Sequence, residues 1–171
     1  MRIPSRQRNL VGASAVVCLS LALSGCSSLG SLMSGRSADA TRDAETGAVT
    51  EEASIDIFLV RVGDCMRANP GGMLEKADVV PCDQPHDEEV YHEITMPDGE
   101  FDEAAVGMAS QECIGAAFTD FVGLAYQDSA LRVYPITPTK ETWEELDDRV
   151  IHCVISDPAG QTKGSLTGAA R

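Results

Sequence analysis

The sequence predicts an α+β domain: a mainly antiparallel sheet with one long packed helix and two disulfides. Three observations carry that prediction. Strand-like runs at 57–62, 77–80, 89–96, 131–136 and 149–155 do not alternate regularly with helices, and no crossover-length helix joins each pair. The stretch 101–122 holds the longest helical period. Cys65, Cys82, Cys113 and Cys153 fall within this region at gaps of 16, 30 and 39 residues. Those gaps are too wide for the close pairs of a zinc site, and the even count suits disulfides in an exported chain.

Export is read from the amino terminus. Arg2, Arg6 and Arg8 precede an uncharged apolar run at 10–23, and the first acidic residue is Asp39. A spanning helix needs about 20 apolar residues, so this run fits the apolar stretch of a secretory signal instead. Leu23-Ser24-Gly25-Cys26 then resembles the bacterial lipobox, in which small residues precede a cysteine that receives a diacylglyceryl group. The expectation is a lipoprotein signal peptide at 1–25 and lipidation at Cys26. The chain would then be anchored to the cell membrane through its acylated amino terminus, on the extracytoplasmic face. Cys18 leaves with the signal.

Residues 26–54 are rich in Ser, Ala, Thr, Gly and acids, and no period of two or 3.6 survives there. The reading is a lipidated cysteine followed by a flexible spacer, about 30 Å long on average. It lacks the run of basic residues that would draw it onto anionic headgroups. The folded domain is expected over 55–168.

Its elements follow in order. The apolar run 57–62 reads as a strand ending at Gly63-Asp64, and Asn69-Pro70-Gly71-Gly72 as a turn before the strand at 77–80. Pro81 and Pro85 break the chain around Cys82. In 89–96, Val90, His92, Ile94 and Met96 alternate, which places them on one face of a half-buried strand. Val106, Ala109, Cys113, Ala117 and Phe121 recur at helical spacing, with Asp102 as cap and Gly123 as stop. A strand at 131–136, a short helix at 138–146, a strand at 149–155 and a turn at 157–160 complete the domain.

Charge and motif content narrow the function. A formal net charge of −14 repels phosphate backbones, so no nucleic-acid partner is expected. Loss of residues 1–25 removes three arginines and no acid, leaving 10 basic against 27 acidic residues, or −17. The chain has no G-x-S-x-G, no H-E-x-x-H and no Gly-rich phosphate loop. The richest cluster is 85–93, where a strand continued backwards would set His86 and Glu88 on one face. His92 lies six residues on, about 20 Å along a strand, so two ligands remain where zinc needs three or four. No metal, no cofactor and no catalytic residue is expected. His152 alternates with Val150 and Val154 and reads as structural, and Trp143 as a core anchor. The four cysteines allow three pairings, and spacing does not choose among them.

The order Val62-Gly63-Asp64-Cys65, then Val80-Pro81-Cys82-x-x-Pro85-His86-x-x-Glu89-Val90, resembles the septum formation domain family of actinobacterial envelope proteins. The likeness continues through Cys113, Tyr134-Pro135, Trp143 and Arg149-x-x-x-Cys153 to Gly164-Ser165-Leu166-x-Gly168. It implies pairing of Cys65 with Cys82 and of Cys113 with Cys153. It also implies a role in septation, as a non-catalytic module that binds envelope or division proteins. Within the motif, His86 and Glu89 are the candidate functional surface, the alternative being a structural role in which the imidazole hydrogen-bonds a turn near Cys82. Two competing expectations are a wall-acting enzyme or metal-dependent binder centred on them, and an accessory lipoprotein unrelated to septation.

Overall fold

The computed structural model describes residues 39–69 and 75–171. The expected signal peptide, Cys26, the first part of the spacer and most of the turn at 69–72 lie outside the described residues.

Six strands build one antiparallel sheet: β1 (Ala53–Asp56), β2 (Cys65–Arg67), β3 (Lys76–Val80), β4 (Glu88–Thr95), β5 (Arg132–Ile136) and β6 (Val150–Ser156). Their order across the sheet is β1-β3-β2-β4-β6-β5. Alternation along β6 divides the core between the two faces. Ile151, Cys153 and Ile155 pack with Tyr91, Phe118, Val122, Leu131 and Trp143. Val154 packs on the other side with Ile55, Met66, Val79 and Val90.

The first face is covered by the expected helix, which is bent. It comprises α1 (Glu103–Ala109), a 3-10 turn (Ser110–Ile114) and α2 (Ala116–Val122). The carboxylate of Asp102 accepts from the backbone N–H groups of Ala104 and Ala105, and Gly123 stops the helix at a φ of 83°. The bend sits at Gly115, whose ψ of −136° lies outside the helical range and interrupts the helical path. A third helix, α3 (Lys140–Glu145), starts at a reciprocal Thr139–Thr142 capping box and buries Trp143. The indole N–H of Trp143 donates to the Gly99 carbonyl at 2.8 Å.

On the second face the folded part begins earlier than residue 55. Residues 39–54, expected as spacer, pack on the sheet: Ala40 and Val49 are buried, Arg42 bridges Val49, and β1 starts at Ala53. The cause is tertiary. The Arg42 guanidinium grips the buried Asp64 carboxylate with two hydrogen bonds, at 2.5 and 2.9 Å. The expected strand at 57–62 is also corrected. β1 ends at Asp56, whose side chain accepts from the Phe58 N–H and winds Ile57–Leu59 into a 3-10 turn. Ile57 and Val60 turn inward, while Phe58 and Val62 remain exposed.

β4 departs from simple alternation as well. Val90 pairs with Val154 but His92 pairs with Cys153, so Tyr91 is an extra residue in a bulge. The bulge reverses the phase: Val90 joins the second core, whereas Ile94 packs against the first. Both disulfides implied by the resemblance are present. Cys65–Cys82 ties β2 to the chain leaving β3, and Cys113–Cys153 ties the bent helix to β6. Their loops of 17 and 40 residues correspond to about 3 and about 4 kcal/mol of denatured-state entropy, respectively.

Candidate functional site

His86 and Glu89, expected on a functional surface, are buried at 0% and 2% exposure. They lie under the C-terminal segment 161–168. His86 forms a two-way backbone bridge with Thr162, donates from Nδ1 to the Gln84 carbonyl (2.9 Å), and meets the Thr162 hydroxyl at Nε2 (3.1 Å). The Glu89 carboxylate accepts from the Ser165 hydroxyl at 2.6 Å and from the Leu166 N–H at 2.7 Å. Leu166 is thereby seated in the first core. These two motif residues form a latch that holds Thr162, Ser165 and Leu166 against the sheet.

One ligand atom each from Cys65, His86 and Glu89 lies within 4.8 Å of the others, a spacing a cation could bridge. The chemistry of the set does not suit one. The Cys65 sulfur is bonded to Cys82, and the latch already occupies the imidazole and the carboxylate. Glu88 is not brought to His86. Its carboxylate accepts from the Tyr134 hydroxyl at 2.9 Å, and burial raises its pKa, against the pull of that hydrogen bond and with help from Asp87.

A different place gathers chemistry that the sequence left dispersed. His152, in β6, pairs across the sheet with Glu93 of β4 and Ile136 of β5. A cavity of about 280 Å³ opens beside it, bounded by Ile57, Phe58, Ile136, Thr139, Thr142 and Asp148 among others. A second, of about 350 Å³, shares Phe58, Asp148, Val150 and His152 with the first and reaches Glu93 and Leu146. Together they make one groove between the 57–60 turn and the segment joining α3 to β6. Phe58 and Leu146 stand on it with 45% and 61% of their surface exposed.

His152 itself is 8% exposed, and its Nδ1 is buried without a hydrogen-bond partner among the described residues. Burial lowers the imidazole pKa, a shift opposed by the carboxylates of Glu93, Asp148 and Asp64. The ring is therefore neutral at pH 7. Asp148 is fixed by accepting from the Thr142 hydroxyl (3.1 Å) and the Val150 N–H (3.2 Å). Asp147 beside it takes a left-handed φ of 56°, which an aspartate tolerates in turning the chain from α3 into β6. Arg149 lines the second cavity too, where it stacks 3.9 Å over Trp143 and pairs with Asp147 at 2.9 Å. With Asp147 neutralised by that pair, Glu93 and Asp148 remain as groove carboxylates without an ion-pair partner among the described residues.

Sequence reasoning missed this groove because its walls come from segments some 80 residues apart. The period of two did place His152 beside Val150 and Val154, yet nothing local showed that its partner atom would be missing.

Among the described residues, no helix is long and apolar enough to cross a membrane. The family model described as septum formation matches residues 62–171. No curated protein and no solved structure matches the chain.

Proposed function

The chain belongs to the septum formation family, and on that premise we propose a lipid-anchored, extracytoplasmic interaction module that acts in septation without catalysis. The observation that carries the reading is the burial of His86 and Glu89. These are the chemically most reactive residues of the motif, and every polar atom of both side chains is engaged within the domain, by the Gln84 carbonyl and by the C-terminal segment. Both side chains are buried beneath that segment, which weighs against the wall-acting enzyme. The binding surface is then the groove beside His152.

The anchor is supported by the arginines, the apolar run and Leu23-Ser24-Gly25-Cys26 at the amino terminus. Labelled palmitate fed to cells should enter the wild-type chain and not Cys26→Ala, which should also leave the membrane fraction. Deleting the gene should lengthen cells or delay septa, and living-cell crosslinking from the groove should capture a division or envelope protein. Normal cell length and septum timing in the deletion strain, under envelope stress as well, would end the septation reading.

A further inference from the structure

We propose that the His152 groove is a docking site for an extended cationic peptide segment that inserts one apolar side chain. The proposal rests on the interaction-module reading above and names the chemistry of its partner.

Four observations converge on that occupant. His152 lines both cavities, and its buried Nδ1 has no partner among the described residues, a cost of about 1–3 kcal/mol that a polar group reaching it would relieve. A neutral imidazole can donate or accept there, which a peptide N–H or carbonyl can answer. The cavity beside it, about 280 Å³, is floored by Ile57, Ile136 and Val150 and suits a side chain rather than a cofactor. Phe58 and Leu146 offer apolar surface at the margins that a solvated monomer gains nothing by exposing.

Charge chooses among peptides. Arg149, which also lines the groove, neutralises Asp147, so Glu93 and Asp148 contribute the carboxylates without an ion-pair partner among the described residues. A chain of net charge −14 steers cations towards it and repels acidic segments. An apolar residue flanked by lysines or arginines meets every one of these features.

The test uses the full-length protein, ¹⁵N-labelled in neutral detergent, and three acetylated, amidated probes: Gly-Lys-Leu-Lys-Gly, Gly-Glu-Leu-Glu-Gly and Gly-Lys-Gly-Lys-Gly. The lysine–leucine probe should give saturable amide shifts confined to His152, Phe58 and the 146–150 segment. The glutamate probe should give none, and the leucine-free probe should bind about tenfold more weakly. Phe58→Ala should weaken the first probe about tenfold and Glu93→Lys about fivefold. Both residues are exposed, and unchanged amide spectra elsewhere will show that each variant is folded. Equal binding of the acidic probe, shifts centred elsewhere, or no saturable shift at millimolar peptide would overturn the proposal. Complementation separates it from the broader reading. If deletion impairs septation but the Phe58→Ala/Glu93→Lys double variant restores it fully, the septation role stands and the groove does not.

Discussion

At the scale of single residues, burial decides which charges matter. Arg42 and Asp64 are 9% and 2% exposed at their side chains, whereas Arg61 and Asp39 are 56% and 39% exposed. Breaking a buried pair leaves an uncompensated charge, so Arg42→Ala should lower unfolding stability by about 3–5 kcal/mol in urea titrations. Arg61→Ala should change it by less than about 1 kcal/mol; similar losses in the two variants would contradict this ranking. His152 makes a pH prediction whose sign follows from its lowered pKa. Below pH about 6.5 the unfolded chain takes up a proton that the folded chain resists, so stability falls as pH drops. Melting temperatures of wild type and His152→Gln, followed from pH 7.5 to 5, should show a shallower acid decline in the variant. Neither residue's role was legible locally. Arg42 finds its partner 22 positions away, and in the sequence its surroundings have the composition of a spacer.

At the scale of elements, ends were easier to read than interiors. Asp102 and Gly123 announce the helix limits through short-range hydrogen bonding and a left-handed backbone, both properties of the residue types themselves. The 3-10 turn between them and the bulge at Tyr91 depend on what the element packs against or pairs with. So does the turn at 57–59, where an apolar run that suits a strand was diverted by the Asp56 side chain. The latch is the element most open to experiment. Glu89→Ala removes the acceptor for Ser165 and Leu166, so it should cost about 1.5–3 kcal/mol, the range for hydrogen bonds to charged groups. Hydrogen exchange should show the loss locally, with the amides of 162–168 becoming unprotected while β6 stays slow. Uniform acceleration across the sheet would mean that the latch is inseparable from the core.

At the scale of the whole molecule, the fold class and cysteine chemistry were visible in advance, and the groove beside His152 was not. Patterning and counting suffice for a sheet, a helix and an even set of thiols. A groove requires knowing which loops meet, and here the turn after β1 meets the turn before β6. The two staples differ in reach, and their removal should differ accordingly. Replacing Cys113 and Cys153 by Ser should destabilise the domain by about 4 kcal/mol, and the Cys65/Cys82 pair by about 3 kcal/mol, in denaturant midpoints at fixed m-value. The consecutive order of these bridges has one more consequence. A chain that emerges amino terminus first, from ribosome or translocon, presents Cys65 and Cys82 before Cys113 and Cys153. An oxidase that joined each cysteine to the next, counting from Cys65, would write the native connectivity directly, with no isomerase step.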